Sequence, residues 1–314
     1  MLFRLLHSSR SAARAAIRPA AARRMLFAAA TVLAFITPAK SAFAPSPATW
    51  KVSYQPHRLV NGAPVLFEVK VPGHPAQLQA TWQTHTIVFR QSRACGCWYA
   101  LAGIALATKP GHYTLELEAT SATGGTERHD QQIPVAAAIY PSTTIKVAPE
   151  YVEPPKENMA RIEEEQQVKK EAFASSAKDP EWHGAFKAPA DIPTSGVFGS
   201  FRLYNGVKRN QHTGLDFRAP SGTPVHASNA GTVILARPLY FEGNCVAIDH
   251  GQGLITMFFH LSEFKVKEGE KVNRGQLVAL SGGTGRSTAP HLHFAVRWQG
   301  EYLNPATLLK LTPP

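Results

Sequence analysis

Residues 287–294 have the sequence Ser-Thr-Ala-Pro-His-Leu-His-Phe, in which two histidines are separated by a single residue. The apolar run that continues from Leu292 to Val296 predicts a β-strand. Residues i and i+2 of a strand point to the same face, so we expect His291 and His293 to face together, with Leu292 and Phe294 packed on the opposite side. Neutral imidazole binds metals and carries protons near neutral pH. The stretch therefore predicts two residues of a functional site.

A second pair of polar residues could complete that site. A catalytic zinc site has about three protein ligands and one open position for water, and the histidine pair offers at most two ligands. Upstream lies His212-Thr213-Gly214-Leu215-Asp216. Thr213 and Gly214 disfavour a helix, so the segment predicts the start of a strand, with His212 and Asp216 turned to one cleft. One histidine of the pair would complete a ligand set, and the other would remain for proton transfer.

Further short motifs follow one another through the C-terminal part of the chain. In order they are Phe198-Gly199, His212-x-x-x-Asp216, Gly222-Thr223-Pro224-Val225, Gly231-Thr232-Val233, His250-Gly251-x-Gly253, His260-Leu261-Ser262, Gly275-Gln276, Thr284-Gly285-x-Ser287-Thr288 and Pro290-His291-Leu292-His293-Phe294. With this series, residues 192–306 resemble the M23 (lysostaphin/LytM-type) zinc endopeptidases.

The resemblance implies a role for each of five residues. His212, Asp216 and His293 match the ligands of one Zn²⁺ ion, and His260 and His291 match the two catalytic histidines. It also implies an enzyme that hydrolyses peptide bonds in peptidoglycan stem peptides or cross-bridges through a metal-activated water. The alternative is a non-catalytic M23-like protein that binds the cell wall or activates a wall amidase.

Two positions depart from the family pattern, and three others are weaker site candidates. Phe258 stands where many members have tyrosine, and Ala289 stands where many have glycine before Pro-His-x-His. Arg202 is a candidate for holding a substrate carboxylate, with Tyr204 and Asn205 as further substrate-binding candidates. Ordinary surface positions explain these last three equally well.

The predicted fold is mainly β and has three parts after a leader. Short strands separated by turn signals predict an immunoglobulin-like β-sandwich over residues 45–140. Residues 141–189 form a predicted linker that contains a charged helix from Glu157 to Phe173. Residues 190–314 are predicted as an antiparallel β barrel-sandwich of M23 type that carries the peptidase site. The N-terminal sandwich is expected to target the wall or a protein partner, to inhibit the peptidase, or to act as a scaffold.

Residues 1–44 have the features of an export signal. An apolar core follows Arg23-Arg24, and Ala42-Phe43-Ala44 supplies a small-x-small cleavage pattern. The core is shorter than the ~20 residues of a spanning helix, so no stable membrane span is expected after cleavage. Export by the general or the twin-arginine route stays open. The prediction is a location in the periplasm, the cell envelope or outside the cell.

Charge and cysteine content limit the classes of partner. The formal net charge is +11, but seven of these charges belong to the acid-free leader and only +4 remains without it. Nucleic acid is therefore not expected as a partner. The remaining surplus suits a polyanionic partner such as cell wall, and the resemblance implies peptidoglycan. Cys95 and Cys97 are expected to lie too close on a strand to bridge each other, and together with Cys245 they are predicted as small buried thiols, although their pairing stays open.

Overall fold

The computed structural model describes residues 49–174, 177–206 and 208–314. The predicted signal peptide, residues 1–44, lies outside these ranges. The described residues belong to one compact unit. None of the helices in them is both long enough and apolar enough to cross a membrane.

Two sheets pack face to face in the N-terminal part. The first has the strand order β1 (Lys51–Gln55), β3 (Pro64–Lys70), β7 (Cys97–Gly103) and β6 (Arg90–Ser92). The second has the order β2 (Leu59–Val60), β9 (Thr126–Ala136), β8 (Gly111–Thr120), β4 (Gln77–Trp82) and β5 (His85–Val88). Phe67 of the first sheet meets Trp82 of the second edge to face, with ring centroids 5.3 Å apart and both side chains fully buried. A mainly β fold is thus confirmed, whereas the immunoglobulin-like assignment stays a prediction.

The segment between the two β regions contains a strand as well as the expected helix. The strand β10 (Ser142–Ile145) pairs in parallel with β12 (Phe201–Tyr204), and β12 pairs with β13 (Lys208–Gln211). The helix α1 spans Lys156–Ala174, within one residue of the prediction at each end. No residue of α1 is buried, in agreement with a charged helix at the surface.

Ionic and hydrogen-bonding contacts fix α1 to the C-terminal part. Lys169 pairs with Glu242 at 2.6 Å, and Glu165 accepts a hydrogen bond from the backbone N–H of Tyr240 at 2.6 Å. Val168 and Phe173 pack against a small buried cluster below the helix. The helix therefore rests on the C-terminal part rather than spanning solvent.

The C-terminal part is one large sheet whose strand pairs, among described residues, are antiparallel as predicted. Its main path runs through β11 (Thr194–Gly196), β14 (Gly214–Phe217), β21 (Leu292–Trp298), β18 (Leu254–Phe264), β17 (Gly243–Asp249), β16 (Gly231–Leu239) and β19 (Lys271–Val272). Three further strands branch from it, and a short helix α2 (Pro305–Leu308) follows; the strands are β15 (Pro224–His226), β20 (Leu277–Ser281) and β22 (Glu301–Leu303).

Direct packing joins the two β regions. Gly103 of β7 lies so close to Trp298 and Leu303 that a side chain at this position would meet both at under 3 Å. The backbone N–H of Asn304 donates to the carbonyl of Gly62 at 2.7 Å. One continuous buried cluster therefore extends from the sandwich into the large sheet.

Two of the three cysteines differ from the expectation of unpaired thiols, and the third agrees with it. Cys95 and Cys97 form a disulfide, with Cα atoms 5.1 Å apart, while Cys245 is free and buried. The prediction was wrong because it placed both cysteines on one extended strand. Cys95 instead precedes β7 in a tight turn, where Gly96 has a φ of +58° and brings the two side chains together.

Candidate metal centre

Three predicted ligands meet where two central strands lie side by side. His212 stands just before β14, Asp216 lies on it, and Asp216 is directly opposite His293 of β21 in the antiparallel register. Side chains of directly opposed residues project to the same face with Cβ atoms about 5 Å apart. Leu292 and Phe294 point the other way and are fully buried, as the alternation predicts. All three polar side chains are more than nine-tenths buried.

The ligand atoms of the three side chains converge on one point. The His212 Nε2 and His293 Nδ1 atoms lie 3.0 and 2.9 Å from Asp216 Oδ1, and 3.0 Å from each other. Ligands of tetrahedral zinc with bonds of about 2.0–2.1 Å are separated by roughly 3.3 Å, close to these distances. No other His, Cys, Asp or Glu cluster suited to a metal occurs in the described ranges.

The protonation states of the cluster favour a cation. The His212 Nδ1–H donates to the Val197 carbonyl at 2.9 Å, so its Nε2 keeps a lone pair for a cation held jointly with Asp216 Oδ1, 3.0 Å away. Burial would raise the pKa of Asp216, but His212 and His293 lower it well below the usual range. Burial lowers the pKa of His293 to about 4, so its imidazole is neutral at pH 7. Two imidazole nitrogens and one carboxylate oxygen form a donor set that Zn²⁺ accepts.

Neighbouring groups hold each ligand in place. Arg202 forms an ion pair with the second carboxylate oxygen of Asp216, which leaves Oδ1 for a metal. The Phe259 ring stacks on His293 with an interplanar angle of 4° and a centroid distance of 5.0 Å. Gly214 allows His293 to approach, because a Cβ there would lie 2.6 Å from its Cε1 atom. Such surrounding contacts orient ligands and strengthen metal binding.

His260 and His291 form a second pair beside the ligands, with ring centroids 4.7 Å apart. The Nδ1–H of His260 donates to the Thr284 carbonyl at 2.8 Å, and that of His291 donates to the Ala289 carbonyl at 2.8 Å. Each ring therefore keeps Nε2 for chemistry, and His291 Nε2 lies 3.9 Å from Asp216 Oδ1. Burial, with His291 and His293 nearby, lowers the pKa of His260 to about 3, so it is a neutral proton acceptor.

A cleft of about 580 Å³ opens onto Asp216, His260 and His291. One wall comes from the loop that carries Arg286 and Ala289. The opposite wall includes alternate residues of the segment before α1, namely Pro141, Thr143, Ile145 and Val147. Since residues two apart on a strand share a face, β10 presents one whole face to the cleft.

The three weaker site candidates differ in how they contact Asp216 and the cleft. Arg202 contacts the ligand Asp216, and Tyr204 lines the cleft with its ring beneath Arg286. Asn205 instead exchanges side-chain hydrogen bonds with the backbone of Val147 and does not line the cleft. A substrate-binding role for all three stays a prediction.

The two departures from the family pattern lie in different environments. Phe258 is fully buried and stacks on Phe294 with centroids 5.5 Å apart, so a hydroxyl lost at this position would have faced the core. Ala289 is exposed and lines the cleft.

Sequence reasoning did not single out Phe259, Arg286, Arg218 or the β10 wall. Phe259 carried a usable signal, because it follows the core residue Phe258 on a predicted strand and so points to the opposite face of the sheet, where the structure has it beside His293. Arg286 occupies the unassigned position of the motif Thr284-Gly285-x-Ser287-Thr288. The β-branched residues of β10 favour a strand, but its position at the cleft has no local signal, since it depends on pairing with β12.

Comparisons with known proteins point to one family. The sequence profile described as Peptidase family M23 matches residues 210–305. A solved structure from Pseudomonas aeruginosa assigned to the M23 peptidases superposes with a TM-score of 0.60 at 32% identity, and the match covers 80% of this chain and 95% of that one.

Two curated relatives match the C-terminal part. The peptidoglycan DD-endopeptidase ShyA of Vibrio cholerae is 45% identical over 111 residues, which are 35% of this chain and 26% of the relative. The DD-carboxypeptidase/endopeptidase Mpg of Neisseria meningitidis is 43% identical over 102 residues, 32% of this chain and 24% of the relative. The chain thus spans about a quarter of the length of these relatives.

Proposed function

Because the chain belongs to peptidase family M23, we propose that it is an exported zinc-dependent endopeptidase that hydrolyses peptide bonds in peptidoglycan stem peptides or cross-bridges. The observation that carries the proposal is the convergence of His212, Asp216 and His293 within 3.0 Å of one another, beside two histidines that each keep Nε2 for chemistry. The name of the relative ShyA, a peptidoglycan DD-endopeptidase, supports the substrate class.

The residues of the site divide the work of hydrolysis. His212 Nε2, His293 Nδ1 and Asp216 Oδ1 would hold Zn²⁺, which when bound polarises a peptide carbonyl and acidifies water. His260, neutral and fixed through Thr284, can accept the proton of an attacking water at Nε2. His291 donates Nδ1–H to the Ala289 carbonyl, so it can give a hydrogen bond or a proton from Nε2 to the developing oxyanion or the leaving amine when its ring carries a second proton. This route needs no covalent nucleophile.

Digestion of isolated peptidoglycan sacculi tests the proposal. The wild-type chain with zinc should release soluble muropeptides, and His293→Ala should release none because a ligand is lost. His226→Ala is the matched control, since His226 lies on β15 and does not line the cleft. Mass analysis of the fragments would identify the bond cleaved. Equal release by wild type and His293→Ala would refute the proposal.

Metal content separates the enzyme from a non-catalytic relative that only binds the wall or activates an amidase. We expect about one zinc per chain by elemental analysis of the wild type and much less in Asp216→Ala. A chain that binds sacculi but contains no zinc and releases no fragments would support the non-catalytic alternative.

The location is a further part of the proposal. The leader and the cell-wall relatives both support the envelope as the site of action. Sequencing the N-terminus of the exported protein should show cleavage after Ala44. A mature protein that still begins at residue 1 would contradict it.

A further inference from the structure

Arg286 is held in the cleft by two aromatic rings. Its guanidinium lies 4.8 Å from the ring centroid of Tyr204 and 4.9 Å from that of Phe241. Its backbone N–H donates to the Phe241 carbonyl at 2.9 Å, which anchors the loop at the same point. Guanidinium–ring contacts stabilise the cation and fix its position, while the in-plane N–H donors stay available.

The same guanidinium has no acidic partner among the described residues. Some other arginines do pair with acids, such as Arg202 with Asp216 and Arg237 with Glu268, whereas Arg90 and Arg297 are held by aromatic rings outside the cleft. Asp216 is also the only acid that lines the cleft within the described ranges, and Arg202 already pairs with it. Arg286, together with the exposed Arg218, therefore gives the cleft a surplus of positive charge beside the catalytic histidines.

An ordered arginine without an acid, on the wall of a catalytic cleft, is suited to an anionic substrate group. Building on the proposed peptidase function, we infer that Arg286 binds a free carboxylate of the peptide substrate through two parallel N–H···O bonds. Such bidentate pairs are both stronger and more directional than contacts from a lysine. The carboxylate is either the C-terminal one of a stem peptide or one on a side chain. The chain would accordingly discriminate against peptides in which that group is amidated.

Binding measurements with one defined peptide in three forms test the inference. The probe is a stem tetrapeptide with all carboxylates free, with only the C-terminus amidated, or with only the side-chain carboxylates amidated. Calorimetry would use the zinc-loaded chain carrying His260→Ala, which blocks turnover without removing a ligand. We expect one of the two amidations to weaken binding about tenfold to a hundredfold, the range of a charge-assisted hydrogen bond. The amidated peptide that binds more weakly identifies which carboxylate Arg286 contacts.

Variants of Arg286 then connect that preference to one side chain. Arg286→Gln should weaken binding of the free peptide by the same factor and leave the affinity for the amidated peptide unchanged. Arg286→Lys should restore only part of the preference, because lysine keeps the charge but not the planar fork. Arg297→Gln is the matched control, since Arg297 stacks on Phe173 at 5.0 Å outside the cleft.

The ring of Tyr204, which lies beneath the Arg286 guanidinium, provides an independent check. Tyr204→Phe keeps the ring and should keep the preference for the free carboxylate, whereas Tyr204→Leu should reduce it although residue 286 is unchanged. Thermal unfolding of each variant shows whether the fold persists. A Tyr204→Leu chain that folds and still discriminates as the wild type does would overturn the role assigned to the rings.

The outcomes separate this inference from the proposed function. If the wild type digests sacculi but binds all three forms within twofold, the carboxylate site is refuted and the peptidase stands. If the preference is lost in Arg218→Gln rather than in Arg286→Gln, the assignment to Arg286 is wrong. If the preference depends on Arg286 but no fragments are ever released, the chain binds stem peptides and the peptidase is refuted.

Discussion

Replacing Gly214 by alanine is expected to displace the ligand His293. The added Cβ would lie 2.6 Å from His293 Cε1 and 2.7 Å from the Phe294 carbonyl oxygen. Carbon atoms in contact are about 3.5 Å apart, so the imidazole must move by about 0.9 Å. The stacked Phe259 and the strands paired on both sides of β21 resist that movement. Metal–ligand distances tolerate deviations of only about 0.2 Å.

The consequence can be measured as zinc affinity and as stability. Disturbing the surroundings of a ligand typically costs about 10–100-fold in metal affinity, and we expect at least this loss from Gly214→Ala. Overpacking should also cost about 1–3 kcal/mol of unfolding free energy. Competition with a fluorescent chelator gives the first quantity, and urea denaturation of the zinc-free chain gives the second.

A second glycine supplies the control for this prediction. Gly111 also lies in a strand, but a Cβ there would meet only Tyr113, at 3.8 Å. Gly111→Ala should leave zinc affinity unchanged. Zinc affinity of Gly214→Ala within twofold of the wild type would refute the reasoning, because it would show that His293 is free to shift without loss of the site.

Three further predictions follow from the same geometry. Arg202→Met should weaken zinc binding about 10–100-fold in the chelator assay, because Asp216 loses the partner of its second oxygen, and an unchanged affinity would contradict this. His260→Ala and His291→Ala should each lower kcat about 10²–10⁴-fold while elemental analysis still finds one zinc per chain, so loss of zinc would count against a proton-transfer role. Burial lowers the pKa of His250 from 6.5 to about 4. As the pH falls from 6.5 to about 4, His250 therefore becomes protonated in the unfolded state before it does so in the folded state. This residue should lower the free energy of unfolding of the zinc-free chain by about 3 kcal/mol over that pH range. By urea denaturation, the unfolding free energy of His250→Asn should change less with pH than that of the wild type. An identical pH dependence would exclude the effect.

Local patterns were sufficient to predict the elements that carry the ligands. The alternation around His293 and the glycine after Thr213 indicate strands, and the structure has strands at both places. The charged run before residue 174 predicts α1 to within one residue at each end. In these segments, propensity and hydrophobic period agree with the final packing.

Other elements depend on partners that are distant in sequence. The strand β9 contains Glu127, Arg128, His129 and Asp130, a run that favours a loop by composition. It becomes a strand because it pairs with β8 over ten consecutive residues. The β-branched residues Thr143, Thr144 and Ile145 do favour an extended backbone, but only the pairing with β12 places this strand at the cleft. A single sequence does not contain the positions of such partners.

The same limit applies to the site. Spacing and family resemblance bring together His212, Asp216 and His293, but the ion pair of Arg202 with Asp216 requires β12 to lie beside the ligand strand. The stacking of Tyr204 beneath Arg286 joins residues more than eighty positions apart. The candidate ligands are thus accessible from sequence, whereas the contacts that orient their side chains depend on tertiary structure.

The strand β10 limits how the protein can be rebuilt. It precedes α1 in the chain yet forms one wall of the cleft, so residues 190–314 alone do not contain the whole cleft. A chimaera that fused only those residues to a foreign module would retain His212, Asp216 and His293 but expose the edge of β12, and free strand edges pair with other chains. Engineers who transplant the C-terminal part should therefore place the junction before residue 140.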